Sequence, residues 1–278
     1  MEKPEAGSIG PGPYRQPPPA AGPGFGQSWK RTALEVGIIA AMLVALILVL
    51  RGCAGCASTA IVSALPADID AAIGKAGGEA MRAQYSVGSD KVTPEQRERV
   101  EKIFNELREN LTPEESAILI NPRITVVADP QVNAFAMPGG EVFVLTGLLD
   151  RVKDDDDLVR GVLAHELGHA VHRHGVRGLV RNAIYGLALS FLLGDMDAVT
   201  GTVLAGASKL DRLSHSRSME EESDDFGVTL LQRAKRDPEG LARFLESLES
   251  APVPELLSTH PDSKDRAEAI RDRLKSGK

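Results

Sequence analysis

The sequence predicts an α+β fold that is predominantly helical, with a small β-sheet or hairpin beside one buried, histidine-rich helix. Three observations lead there. Two proline-bearing capping boxes, "TPEQ" at Thr93 and "TPEE" at Thr112, open helical segments. Two β-branched runs, "ITVVA" (124–128) and "EVFVLT" (141–146), flank a Pro138-Gly139-Gly140 turn. Finally, "GVLAHELGHAVHRHG" (161–175) holds four of the six histidines between apolar residues at helical spacing.

From the N-terminus, the first 28 residues contain seven prolines, six glycines and almost no aliphatic side chain. Such a segment cannot bury enough surface to offset backbone entropy, so 1–32 is expected to be a disordered tail. "ALEVGIIAAMLVALILVL" (33–50) is interrupted only by Glu35. At about 27 Å it is at the short end for a spanning helix, and 33–51 is expected to be a transmembrane or signal-anchor segment. Arg15, Lys30 and Arg31 precede it and only Arg51 follows closely, which predicts a cytoplasmic tail and a domain outside the cytoplasm. "LRGCAGCAS" then resembles, through Leu50, Gly52 and Cys53, a lipoprotein box, leaving lipidation at Cys53 open as a second mode of attachment. Cys53 and Cys56, the only cysteines, are too close together to suggest a structural disulfide.

Residues 52–90 are expected to form a juxtamembrane helical region and 91–278 the main domain. Val100, Ile103, Phe104, Leu107 and Leu111 continue a helical stripe after Thr93. Ala134, Phe135 and Ala136 read as extended chain before the glycine turn. Asp154 to Asp157 cap and charge the N-terminus of the histidine helix, with a calcium site as the alternative. "AIYGLALSFLLG" (183–194) is too short to span a bilayer. His215 has no motif around it and is expected at the surface. A net charge of −7 without a basic stripe gives no reason to expect nucleic acid as a partner.

The chemistry lies in His165-Glu166-x-x-His169. Histidines four apart share a helix face, so both imidazoles can reach one metal ion while Glu166, displaced around the helix, addresses a water as general base. Leu163, Ala164, Leu167, Ala170 and Val171 make the helix largely buried, where unpartnered imidazoles would be costly. His172 and His174 cannot converge with the pair on a tetrahedral site from one straight helix. A further ligand must come from downstream, where "SRSMEEESDDFG" (216–227) is the first dense carboxylate cluster. Glu220 and Asp224 lie on one helix face, so one can bind the metal while the other hydrogen-bonds a ligating imidazole.

These motifs, in order over about 121–266, resemble the M48 zinc metallopeptidases. "NAFAMPGGEVFVLTGLL" resembles the family's strand, turn and strand, and "HELGHAVHRH" its metal helix. "SRSMEEESDDFG" is similar to its Ser-Arg-x-x-Glu-x-Glu-Ala-Asp segment, and "THPDSKDR" (259–266) to its Thr-His-Pro box. Ser223 stands where alanine is usual and Glu221 adds a carboxylate. The resemblance implies a zincin-like metallopeptidase domain over 91–278 with one Zn2+ per chain. It implies zinc on His165, His169 and Glu220, Asp224 as the partner of a ligand, and extended substrate along Asn133, Ala134, Phe135 and Ala136. It places His260 near the cleft, as an oxyanion donor or as a latch on zinc's open position. The singly anchored, periplasmic members are the most similar type. A zinc endopeptidase acting on extended or misfolded envelope proteins is therefore expected, the alternative being an envelope chaperone or assembly factor with little proteolysis.

Overall fold

The structure, a computed structural model, describes residues 25–85, 91–193, 215–250, 253, 259–260 and 263–276. The tail expected over 1–32 lies outside these up to residue 24. The chain divides into two units, Met1–Arg51 and Gly52–Lys278. Helix α1 (Phe25–Ala64) runs through the predicted spanning segment, and Leu34, Val36, Ile38, Ile39, Met42, Leu48 and Val49 on it are exposed. Among the described residues no single helix is long and apolar enough to cross a membrane. One bent pair, Gly52–Ala64 with Asp68–Gln84 at 106°, passes on length and composition alone.

In the second unit, α2 (Asp68–Gln84), α3 (Pro94–Glu109) and α4 (Pro113–Ile118) precede the sheet. Both predicted capping boxes are formed, with Thr93 accepting from Gln96 N and Thr112 from Glu115 N. Val100, Ile103, Phe104 and Leu107 are buried as the stripe requires. The sheet comprises β1 (Arg123–Val127), β2 (Ala134–Ala136) and β3 (Glu141–Leu145), in the order β1-β3-β2. β3 pairs parallel with β1 and antiparallel with β2, closing the expected hairpin through Gly139 and Gly140, whose φ values of +82° and +101° suit glycine.

All five residues of β3 are buried, because both faces of the sheet are covered. With side chains alternating, Val142 and Val144 enter the main core with Phe104, Leu163 and Leu167, while Phe143 and Leu145 enter a second core under α2 with Met81 and Met137. Phe135 belongs to the second core and stacks on Phe143 at 5.2 Å. Its ring therefore faces away from the histidine helix, and only its backbone belongs to the strand edge expected to meet substrate.

After α5 (Thr146–Val152) comes the histidine helix α6 (Asp156–Val171). Asp155 is its N-cap, accepting from Asp157 N and Leu158 N. Arg243, Arg99 and Arg160 pair with Asp155, Asp156 and Asp157, so three of the four aspartates are already engaged by arginines, which weighs against the calcium alternative. α7 (His174–Leu193), α8 (Arg217–Arg233), α9 (Gly240–Ser250) and α10 (Ser263–Ser276) complete the unit.

α6 is central, and two glycines let its neighbours approach. A Cβ at Gly168 would lie 2.9 Å from Ser223 Cα of α8, and one at Gly161 would collide with the backbone of Gly240 and Leu241 of α9. Gly161→Ala must therefore push α9 off α6. We expect a loss of about 1–3 kcal/mol of stability, the usual range for overpacking, read as a lower midpoint in denaturant unfolding.

Candidate metal centre

His165 and His169 project from α6 and Glu220 from the first turn of α8, all almost fully buried. His165 Nε2 lies 3.0 Å from His169 Nε2 and 3.5 Å from Glu220 Oε2, and His169 Nε2 lies 3.3 Å from Glu220 Oε1. His260, on the segment before α10, joins them, with Nδ1 3.3 Å from His165 Nε2 and 3.1 Å from Glu220 Oε2. One donor atom from each of these four residues lies within 4.8 Å of the others. Ligands about 2.0–2.1 Å from a tetrahedral ion stand about 3.3 Å apart, so these spacings match the edges of such a site. Glu220 Oε1, buried and without a hydrogen bond, is an acceptor still short of a partner.

The far side of each imidazole is tied. His165 Nδ1 lies 2.9 Å from Asp224 Oδ1, and a carboxylate can only accept, so Nδ1 carries a proton and, in the neutral imidazole, Nε2 offers its lone pair. Asp224 is gripped by Arg266 at 2.7 and 2.8 Å, and the same guanidinium contacts Glu220. His169 Nδ1 lies 2.8 Å from His174 Nδ1, and His174 Nε2 lies 2.9 Å from Glu222 Oε2. Because Glu222 accepts from His174 Nε2–H, His174 Nδ1 must accept from His169 Nδ1–H, which again frees the Nε2 lone pair. Glu166 stands beside the group, its Oε2 accepting from Ala136 N at 3.0 Å and its Oε1 3.6 Å from His260 Nε2.

Of the site residues expected from the sequence, His165, Glu166, His169, Glu220, Asp224 and His260 gather here and Ala136 reaches them through its N–H, while the Phe135 ring turns away and Asn133 and Ala134 lie further along the same edge. Met137 N donates to Glu141 O and Leu145 N to Asn133 O, so the alternation turns the backbone groups of Ala134 and Ala136 to the free edge beside Glu166. Three residues were not foreseen. His174 closes "HELGHAVHRH" and Arg266 closes "THPDSKDR", but neither motif announces their contacts with His169 and with Asp224 and Glu220. His215, expected at the surface, is partly buried and stacks on His169 at 4.0 Å between ring centroids. Its N–H also donates to Thr259 O at 3.3 Å, a tie to the segment carrying His260 that no sequence pattern announces.

Comparison with known proteins gives the same picture. Residues 94–274 match the family model of peptidase family M48. The chain is 37% identical over 158 residues to the mitochondrial metalloendopeptidase OMA1 of Arabidopsis thaliana, covering 54% of this chain and 31% of that protein. It is 33% identical over 174 residues to the metalloprotease YcaL of Escherichia coli K12, covering 57% and 64% of the two chains. It is 34% identical over 165 residues to the beta-barrel assembly-enhancing protease of Escherichia coli O157:H7, covering 53% and 33%. Each match spans less than two thirds of the relative's own length.

The electrostatics are uneven. Burial pushes the pKa of His169, His174 and His215 down, that of His174 to about 4. Burial acts on His165 too, but hydrogen bonds to Asp224 and Glu220 outweigh it and raise its pKa to about 9. Burial raises the Glu166 carboxyl above its usual range. Despite burial, Glu220 is held far below that range by the three histidines that face it. In metal-stripped protein these shifts act on stability in opposite directions. Below pH 6.5 the unfolded chain takes up protons that folded His169, His174 and His215 refuse, so stability falls as pH drops toward about 4. The contribution of His165 is full below 6.5 and is lost as pH rises through about 9. Thermal midpoints of chelator-treated protein should therefore peak near pH 6.5, and added metal, which excludes a proton on His165 Nε2, should flatten the alkaline limb. A monotonic rise from pH 6.5 to 9 without metal would contradict the His165 assignment.

Proposed function

The chain belongs to peptidase family M48, and from that premise we propose that it is a membrane-anchored zinc endopeptidase. Its substrates would be extended or misfolded proteins of the cell envelope. The observation that carries this reading is the convergence of His165 Nε2, His169 Nε2 and Glu220 at tetrahedral-edge spacings, with Glu166 alongside. Zinc suits this donor set of two neutral imidazoles and a carboxylate, and when bound it supplies Lewis acidity, polarising the scissile carbonyl and acidifying water at the site.

The chain's own residues supply the rest. Asp224 and His174 hold the two imidazoles in the tautomers that present Nε2. Glu166, its basicity raised by burial, takes the proton of the attacking water and delivers it to the leaving amine. The β2 edge accepts substrate as an added strand through the backbone of Ala134 and the carbonyl of Ala136, whose N–H is donated to Glu166, giving backbone recognition with loose sequence preference. Asn133 Oδ1, buried and without a hydrogen-bond partner, adds a polar group at the start of that edge. The exposed apolar side chains from Leu34 to Val49 support an anchor in the membrane. Of the two roles open to His260, its place 3.1–3.3 Å from Glu220 Oε2 and His165 Nε2 favours the latch, because it brings a fourth donor atom to the group that would hold the metal. A scaffold without proteolysis would have no use for Glu166.

Two experiments test this. Purified protein should hold one zinc per chain by elemental analysis. Glu220→Gln should lose it, whereas Glu222→Gln, which only slackens the His174 tether, should weaken zinc by about 10- to 100-fold. Retention in the first variant with loss in the second would reverse the ligand assignment. Glu166→Gln should keep zinc and fold while casein cleavage drops about 10²- to 10⁴-fold. His260→Ala should raise basal cleavage and self-cleavage. A fall of about 10²-fold in that variant would instead make His260 an oxyanion donor.

A further inference from the structure

A second cleft, whose lining shares no residue with the donor cluster, opens between α2 and the end of the sheet where β1 begins and the β2–β3 turn closes. Its volume is about 610 Å³, within the roughly 300–1,000 Å³ of small-molecule sites. Lys75 and Arg82 of α2 and Arg123 of β1 line it, together with two carboxylates, Glu79 and Glu141. Two glycines bring α2 onto the turn. A Cβ at Gly74 would collide with Pro138 O, and one at Gly78 with the Glu141 carboxylate.

Glu141 is buried beneath the arginines, and each of its oxygens accepts two hydrogen bonds. The donors are Arg82 Nη1 at 2.5 and 2.7 Å, Arg123 Nη2 at 3.0 Å and Thr125 Oγ1 at 3.1 Å, so this carboxylate has no acceptor left for a guest. Each guanidinium gives Glu141 one nitrogen and keeps its other two, and both side chains remain partly exposed. Lys75 is exposed and pairs with no carboxylate among the described residues. A carboxylate that fixes two arginines from behind leaves their remaining N–H groups preset for an anion, and phosphate oxygens are the acceptors such forks match.

We infer that this cleft binds a phosphate-bearing anion through Arg82, Arg123 and Lys75. The volume leaves room for an organic portion beside the phosphate. Glu79, exposed at the rim, sets one negative charge against these three cations, so neutralising it strengthens binding. Lys75 and Arg82 precede residues 94–274, which match the family model, so the cleft is assembled where α2 lies against the peptidase domain. Neither Glu166 nor a metal takes part. A guest held by α2 and β1 together would brace Pro138 and Gly139, which line the cleft at the turn of the hairpin that carries β2.

The test titrates the full-length, zinc-loaded protein, in micelles of an uncharged detergent, with glycerol 3-phosphate by calorimetry. Saturable binding is expected with a Kd of about 1 mM or tighter. Lys75→Gln, which removes no ion pair among the described residues, should weaken it about 10-fold, and Lys75→Arg should restore it. Arg123→Gln, which leaves Arg82 on Glu141, should weaken it at least as much. Glu79→Gln should tighten it about 3- to 10-fold. Loss in one variant and gain in another cannot both come from damage to the fold. Displacement by dihexanoyl phosphatidylglycerol would identify a lipid headgroup as the source. Displacement by inorganic phosphate but not by that lipid would identify free phosphate, and either result supports the site. Binding no tighter than that of acetate at equal ionic strength overturns it. So does a Kd unchanged in both Lys75→Gln and Glu79→Gln.

Discussion

The constraint on which the rest of this structure depends is the burial of hydrogen-bond acceptors against one another. His165 Nε2, His169 Nε2 and the Glu220 oxygens lie 3.0–3.5 Å apart, and when both imidazoles are neutral each presents lone pairs to the others in a dry interior. Such an arrangement repels itself and persists only if a cation compensates it and every participating group is held from behind. Arg266 is the fixed cation, touching both Glu220 and Asp224. Asp224 behind His165, and His174 with Glu222 behind His169, are the ties from behind. Gly168 serves the same end from further out, since a side chain there would separate the helix with both histidines from the helix with Glu220. The fold around the site is in this sense a means of keeping one unfavourable juxtaposition in place, and in the proposed reading a metal would make it favourable.

How much of this was legible in the sequence follows from the range of each interaction. Helix periodicity is local, so the His165/His169 face, the Glu220/Asp224 face and both capping boxes could be read directly, and the structure places them as read. The ExE pair inside "MEEESDD" was readable only in part. Residue spacing separates Glu220 from Glu221, but what Glu222 does depends on His174, 48 residues away on another helix. His215 was misjudged for a similar reason. A lone histidine in a polar stretch carries no periodic signal, and only tertiary contact stacks it on His169. Phe135 was legible as extended chain, but which face its ring takes depends on α2 lying over the sheet, and nothing near residue 135 specifies that.

His260 shows how one side chain can serve two geometries. Its Nδ1 closes the donor cluster while its Nε2 lies 3.6 Å from the Glu166 carboxylate. In the proposed reading the same ring thus competes with substrate for the metal's open vertex and stands next to the general base. His215 bears on this through the backbone bond from its N–H to Thr259 O, which ties the ring stacked on His169 to the residue before His260. Through these contacts the residues flanking His260 on its N-terminal side are held at His169 and His260 itself at Glu220.

The end of the histidine helix has its own tether. Arg173, two residues beyond α6, adopts φ +58°, a conformation that costs a non-glycine residue about 1–3 kcal/mol unless contacts hold it there. Its guanidinium donates to the carbonyls of Val62, in the last turn of α1, and of Leu65 and Pro66 just beyond it, and to Asp70 in α2, fully buried. A charge-assisted network of this size, closed over an Asp70 with no exposure, makes residues 62–70 part of the scaffold of α6 rather than a slack tether. Any displacement of that segment relative to the histidine helix would have to break these bonds and leave a buried carboxylate unpaired. The stretch following the apolar half of α1 therefore has mechanical purchase on the helix that carries His165, Glu166 and His169.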